Sequence, residues 1–362
     1  MKKLLIAIGL STLASAAVAD DLPVLVSKAQ PATVVSASGW YLSVDGGWQN
    51  VGLPDYGLGF TKVTSPTFPD AGPFQIFKPR LDGYMFRGTI GYYLPATTSN
   101  TFFGGNTRVE IGGSYGQASG SDSGTAVFTG GGIVTQTLEG AGANGGWSCF
   151  AGQICTTNSN LSTDYSNWQV HGRIAGDYLW GTILVTPSLA VFGGGADTDQ
   201  ALDQIARIGG AAGRPTNHAS SSLHWIDIGA RAGLDLKVDV SPRVALNLGG
   251  WAGIAGRHAS LSASEVATDP IGGGLIAGAG SISDSADATP LIANIEAGVA
   301  YKLLPTFIVR GFAGVNIDTE VPGIAPQSYS GGVGSITSRT PAGISFDPAA
   351  SYYAGGGVTW TF

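Results

Sequence analysis

The chain has 362 residues, of which 57 are glycine and only 12% are charged, and its 25 acidic residues outnumber 18 basic ones for a formal net charge of −7. An acidic chain without clustered lysine and arginine excludes nucleic acid as a partner, because phosphate binding needs neutralising cations. So little charge with so much glycine is unlike an ordinary soluble domain, and no stretch beyond the N-terminus is apolar for long enough to make a transmembrane helix.

The N-terminus reads as an export signal. Lys2 and Lys3 precede an apolar run from Leu4 to Leu13, and Ala17-Val18-Ala19 offers a small-residue cleavage site. Residues 1–19 are therefore expected to be a signal peptide, residues 20–37 a periplasmic lead-in and residues 38–362 an outer-membrane β-barrel. Without Lys2 and Lys3 the balance is 16 basic against 25 acidic residues, a net charge of −9.

From Trp40 onward the chain alternates with period two. Trp40, Leu42, Val44, Gly46 and Trp48 share one face, opposed by Tyr41, Ser43, Asp45 and Gly47. Tyr84, Phe86, Ile90 and Tyr92 repeat this against Met85, Arg87 and Thr89; Val109, Ile111 and Tyr115 oppose Arg108, Glu110 and Ser114. The fourth strand sets Trp168, Val170, Ile174, Tyr178 and Trp180 against Gln169, His171, Arg173 and Asp177. A one-residue slip there would turn Arg173 toward lipid at about 2–4 kcal/mol, so the register is well determined. Val185, Leu189 and Val191 form a fifth strand, and Ile226 to Leu236 a sixth with Asp227, Arg231, Asp235 and Lys237 behind. Val244 to Ile254 set Asn247, Trp251 and Arg257 inward; Leu291 to Tyr301 oppose Asn294, Glu296 and Lys302; Phe307 to Ile317 oppose Arg310, Phe312 and Asn316. Ser351–Phe362 is the tenth strand, an uncharged segment closing on Trp360 and Phe362.

Each strand is near the ~9–11 residues that a tilted strand needs to cross a bilayer. Connections near 94–102, 179–183, 239–243 and 303–305 are short. Those near 49–80, 117–166, 196–222, 259–288 and 319–349 are long and rich in Gly, Ser and Thr. This is the pattern of an all-β, transmembrane, antiparallel up-and-down barrel of about ten strands, with short periplasmic turns and long extracellular loops. Eight or twelve strands remain open, because segments 125–129 and 133–138 flank Gly130-Gly-Gly132 and have the pattern of a hairpin above the membrane. Five tryptophans, Trp40, Trp48, Trp168, Trp180 and Trp360, fall in outward register at strand ends, where a membrane interface suits an apolar ring with an N–H.

Gly39-Trp-Tyr-Leu42 with Asp45-Gly-Gly47, and Tyr353-Ala-Gly-Gly-Gly357 through Phe362, resemble the opacity-type outer-membrane proteins of alphaproteobacteria. That resemblance implies a Gram-negative surface protein serving envelope integrity or host contact, without a catalytic motif. Those proteins are shorter and eight-stranded, so the length here departs from them. The terminal strand, with Tyr352, Val358, Trp360 and Phe362 on one face, also resembles the C-terminal signal that barrel-assembly machinery reads.

The inward set mixes signs: Arg87, Arg108, Arg173, Arg231 and Arg310 with Glu110, Asp177, Asp227, Asp235 and Glu296, beside His171. Charges in a narrow lumen should pair, because an unpaired buried charge costs several kcal/mol. The expected product is an ion-paired plug; the alternative is a narrow porin-like channel for small solutes. A third reading, an outer-membrane lipid hydrolase, starts from His258-Ala-Ser260, which has the outward His-x-Ser spacing, and from the reversed Ser222-Leu-His224. No orienting third residue is identifiable from sequence, and a His at a strand end is more often an interface residue. The chain is thus read as a non-enzyme without cofactor or metal, standing among outer-membrane lipid and lipopolysaccharide with both termini periplasmic; oligomeric state is not in the sequence. Asp197, Asp199 and Asp203 match no calcium loop and read as a solvated acidic segment. Cys149 and Cys155, six apart in an exported chain, read as a loop disulfide. Ile271–Ala277 is apolar for a loop and suits membrane or partner contact.

Overall fold

The structure is a computed structural model that describes residues 39–56, 62–65, 68–71, 77–95, 106–129, 132–135, 146–149, 154–208, 216–268, 278–325, 328–332, 335–340 and 342–362. Residues 1–38, which hold the expected signal peptide and lead-in, lie outside these, as does Ile271–Ala277.

The described residues form strands and no helix. In chain order they are β1 (Gly39–Gly52), β2 (Lys62–Ser65), β3 (Phe68–Ala71), β4 (Arg80–Tyr93), β5 (Asn106–Thr129), β6 (Gly132–Thr135), β7 (Gly146–Cys149), β8 (Ile154–Trp180) and β9 (Ile183–Ile208). There follow β10 (Thr216–Asp239), β11 (Val244–Thr268), β12 (Gly278–Ala288), β13 (Leu291–Leu304), β14 (Phe307–Ala325), β15 (Ser328–Gly332), β16 (Ser335–Thr340) and β17 (Gly343–Thr361).

Eleven of these pair in the order β10-β9-β8-β5-β4-β1-β17-β14-β13-β11-β12, and a β10–β11 ladder closes the ring. The wall is an all-antiparallel barrel of ten staves, because β13 pairs with the lower half of β11 (Val244–Ile254) and β12 with its upper half (Arg257–Ala267). β12 and β13 are one stave interrupted at Thr289-Pro290, where proline has no N–H for a ladder. Closure between β1 and β17, with Tyr41 opposite Thr361, puts the start of the first stave and the end of the last at one rim. At the level of the belt the closed ring leaves no strand edge unpaired, as a wall in hydrocarbon requires, whereas above it β12 ladders only with β11.

The exterior carries the apolar alternation. Leu42, Val44, Ile90, Ile111, Val191, Ile228, Ile254 and Ile295 are all exposed, from 40% at Leu42 to 73% at Ile228. In soluble protein such a surface would be costly; against lipid it is the required one. Aromatic residues bound the belt on the β1 side: Trp40 packs at a tilt against Tyr92 with ring centroids 4.9 Å apart, Trp360 against Phe362 at 5.0 Å, and Trp48 stands opposite Tyr84 eight residues further along. Trp40, Trp48, Trp168, Trp180 and Trp360 all face outward. Trp168, however, lies in the middle of β8 rather than at its end, because the strand continues well past the belt.

That continuation corrects the expected long loops. Residues 117–129 and 154–166, 196–208 and 216–222, and 259–268 and 278–288 remain laddered strand. β5, β8, β9, β10 and β11 are 24–27 residues long, whereas β1 and β4 are 14. Glycine- and serine-rich composition is usual for loops, and here it coats strands whose outer face meets water. The expected hairpin across Gly130–Gly132 is also corrected: β5 keeps β8 as partner up to Thr129 opposite Ile154, and β6 pairs with β7 instead. The side chains of Cys149 and Cys155 lie outside the described set.

At the opposite rim, the β8–β9 turn is made by Gly181 and Thr182, with Gly181 at φ +63°, a conformation that glycine adopts without Cβ strain. The β10–β11 turn is held by Ser241, whose hydroxyl accepts from the N–H groups of Arg243 and Val244.

Candidate functional site

The lumen positions named from sequence, Arg87, Arg108, Glu110, His171, Arg173, Asp177, Asp227, Arg231, Asp235, Glu296 and Arg310, all line one cavity of about 700 Å³ inside the wall. Period-two alternation turns them inward, and glycine makes room for other inward side chains beside them. A Cβ on Gly357 would overlap the Asp45 carboxylate, and one on Gly91 the Tyr41 ring.

The charges fall into three networks. In the first, Asp45, 4% exposed, accepts a two-pronged contact from Arg310 (Nε–Oδ1 2.9 Å) and lies 3.3 Å from Arg87 Nε. Arg87 reaches across the lumen to Glu296 at 2.5 Å, with its guanidinium 4.3 Å from the centre of the Phe312 ring. The Tyr353 hydroxyl donates to Glu296 at 3.0 Å and accepts from Asn294 at 2.7 Å.

In the second, Glu110 accepts from the Tyr41 hydroxyl and from Arg108 at 2.6 Å, and lies 3.3 Å from Arg173. Arg108 also bonds Asp177 at 2.5 Å, which takes the Thr186 hydroxyl at 2.7 Å; Arg173 pairs with Asp235. In the third, Arg257 is gripped by both oxygens of Asp227 at 2.7 Å and by Asp318 on β14 at 2.7 and 3.2 Å, and donates to the Glu320 carbonyl at 2.6 Å. Asp318 was not among the residues picked from sequence: it sits where β14 changes register between Asp318 and Val321, so simple alternation does not reveal its side.

Two inward groups differ. Among the described residues no carboxylate pairs with Arg231; it donates to Gln169 at 3.0 Å and lies 4.4 Å from the centre of the Trp251 ring. Lys302, expected inside, is exposed at the rim, because the β13–β14 ladder shifts register between Lys302 and Leu304.

Above the ion pairs the barrel is filled in a way that the sequence did not announce. Tyr56 and Phe77, from the segment between β1 and β4, are each 1% exposed and bridge to one another through the backbone. They pack with Leu161, Leu202, Leu223, Trp225, Leu261, Val321 and Ile324 into one apolar cluster. Burial pushes the Tyr56 hydroxyl above its ordinary range, so it stays neutral. A buried polar ladder crosses β8, β9, β10 and β11: Gln204 donates to Ser159 at 3.0 Å, and Asn217 to Gln204 at 3.2 Å and to Glu265 at 2.6 Å. The missed signal was alternation itself: Leu161, Leu202, Leu223 and Leu261 occupy inward positions of segments whose outward positions are polar.

The outer face above the belt carries three His–Asp pairs. His218–Asp203, His224–Asp197 and His258–Asp287 each place Nδ1 2.7 Å from the carboxylate of the residue directly opposite. Asp197 and Asp203 thus belong to strand β9 rather than to a loop, and no group of three or more metal-ligating side chains occurs among the described residues. Tyr352, Val358, Trp360 and Phe362, the expected assembly face, are all lipid-side.

No protein-family model matches the chain, and no curated protein sequence matches it. Among solved structures, the chain is similar to the outer-membrane protease OmpT of Escherichia coli, at 11% identity and a TM-score of 0.40 over 90% of this chain and 96% of that one. It is also similar to the transport unit of the Escherichia coli autotransporter AIDA-I (7% identity, TM-score 0.30, 91% and 92% covered) and to a Pseudomonas aeruginosa FadL homologue (9%, 0.24, 89% and 90%). These are all outer-membrane β-barrels, and the likeness is one of fold alone.

Proposed function

We propose that this chain is an integral outer-membrane protein with a closed lumen, whose role is structural and directed at the environment or a host. In this reading the turn rim and both termini face the periplasm, and the long staves stand outside the cell. The opacity-type resemblance of the two end strands favours the same role. Lipopolysaccharide would surround the outer half of the belt, and barrel-assembly machinery would read the β17 face that ends in Trp360 and Phe362.

The observation that carries the proposal is the double closure of the interior. Salt bridges cross the membrane-level lumen, and the Tyr56–Phe77 cluster fills the barrel above them. An open pore needs neither. From Trp168 to Ile154, β8 runs ~45 Å along its length beyond the belt, at ~3.3 Å per residue. That gives the protein a rigid polar surface to present.

The 700 Å³ cavity, with Arg231 on its wall, is the observation that keeps a narrow channel as the second reading. Single-channel recording of the refolded protein in a planar bilayer separates the two. A silent bilayer, with insertion verified by heat-modifiable gel mobility, is the expected result; stable, reproducible conductance steps would overturn the closed-lumen reading.

A further inference from the structure

We infer that Asp197, His224 and Ser260 form a hydrolytic triad on the outer wall, directed at acyl esters of lipids in the surrounding leaflet. The three stand on adjacent strands β9, β10 and β11 in one row of the ladder: Asp197 is opposite His224, and His224 is opposite Ser260. All three side chains face outward. Directly opposed residues have Cβ atoms about 4.5–5.5 Å apart, so an imidazole on one strand reaches a hydroxyl on the next. In unliganded enzymes catalytic hydrogen bonds are often long or poorly aligned, and tighten when substrate binds.

The chemistry follows from how His224 is held. Its Nδ1 lies 2.7 Å from the Asp197 carboxylate. In the neutral ring that nitrogen carries the proton and donates it, which leaves the Nε2 lone pair on the far edge to accept a proton from Ser260. Ser260 Oγ bonds to the ester carbonyl carbon as its proton moves to Nε2. Collapse of the tetrahedral intermediate breaks the bond to the alcohol oxygen, which leaves with that proton. Water then releases the fatty acid from acyl-Ser260 by the same route in reverse. His258, two residues before Ser260 on the same face, has its Nδ1 2.7 Å from the Asp287 carboxylate and is the next polar side chain along that face.

Position selects the substrate. On β10 the outward residues below His224 are Ile226, Ile228, Ala230, Ala232 and Leu234; on β11, Ile254 lies below His258. His224 and His258 are thus the first polar outward groups above the apolar belt, at the depth of lipid ester linkages. Six positions below that row on β10 and β11, the wall has an open, shallow apolar hollow lined by Ile174, Leu189, Val191, Ala230, Ile254 and Leu291. A polar wall above and an apolar hollow below match an amphiphile better than a soluble ester. The activity is additional to the surface role and does not rest on the lumen being closed.

The test uses the refolded full chain in nonionic detergent micelles. An alkyl fluorophosphonate probe should label wild-type protein on the peptide containing Ser260, and not Ser260→Ala. Hydrolysis of a fluorescent-acyl phosphatidylethanolamine should fall by about 10²–10⁴-fold in His224→Ala, the usual contribution of a general base. Asp197→Asn should lower kcat while leaving KM unchanged, as expected of a positioning residue. All three positions are on the surface, so heat-modifiable mobility should show folded barrels throughout. Folded wild-type protein that is unlabelled at Ser260 and no faster than Ser260→Ala overturns the proposal, as does labelling undiminished in His224→Ala.

Discussion

Arg87 and Glu296 meet at 2.5 Å although three staves, β1, β17 and β14, separate their strands around the wall. A contact of this kind ties opposite sides of the barrel together, whereas a ladder contact ties only neighbours. Both side chains lie inside the wall, each no more than a quarter exposed. Arg87→Met should therefore destabilise the barrel by about 3–5 kcal/mol, because Glu296 and Asp45 lose a cation. Glu296→Gln added to Arg87→Met should recover part of that loss, since it removes the stranded charge. Urea unfolding of the refolded protein, followed by tryptophan fluorescence, measures both. Equal stability of wild type and the single variant would show that the pair does not hold the lumen.

Arg173 makes the parallel case on the other side. It lies between Glu110 and Asp235, on a strand whose register is fixed by the cost of turning an arginine to lipid. Arg173→Leu should destabilise by the same order, about 3–5 kcal/mol. A variant unfolding at the wild-type midpoint would count against the plug.

The membrane half of this fold was legible because its physics is simple. Lipid outside and charge inside impose strict alternation, so Trp168 through Trp180 could be assigned to faces residue by residue. The upper half was not, because its outer face meets water. Serine, threonine and glycine on a water-facing strand look like loop, and only the inward Leu161, Leu202, Leu223 and Leu261 betray the core. The exterior site was illegible for a different reason. His258-Ala-Ser260 could be read along one strand, but Asp197 and His224 join Ser260 only through cross-strand register, which local sequence does not encode.

The apolar cluster gives a prediction about closure. Phe77 is 1% exposed and packs with Tyr56 and leucines of the tall staves. Phe77→Ala should cost about 3–5 kcal/mol, the usual range for a buried phenylalanine. If this cluster closes the outer end, the variant should also admit small solutes that wild type excludes. Liposome swelling in a sugar gradient reads that directly, and unchanged swelling would place the closure at the ion pairs below.

Tyr56 sets a limit at high pH. Its hydroxyl is pushed above the ordinary range chiefly by burial. Tyrosines in the unfolded chain ionise near pH 10, whereas Tyr56 in the folded barrel holds its proton longer. The stability it contributes is therefore complete below about pH 10 and falls as pH rises beyond, by up to about 1.4 kcal/mol per unit for this group. Tyr56→Phe should flatten that part of the stability–pH curve, which unfolding midpoints between pH 8 and pH 11.5 would show.

The height of the lipid belt can be tested on one strand. On β11, Ile254 is 52% exposed among apolar neighbours, whereas Ser262 faces outward eight residues later among serines. If the belt ends between them, Ile254→Arg should destabilise the protein in bilayers by about 2–4 kcal/mol toward mid-membrane, and less the nearer it lies to the interface. Ser262→Arg should be close to neutral, because its side chain already meets water. The two substitutions add the same charge to the same face of the same strand, so their difference isolates the surroundings. Comparable costs at both positions would mean that β11 stands deeper in the membrane, and the His224–Ser260 row would then lie within hydrocarbon rather than at the ester level.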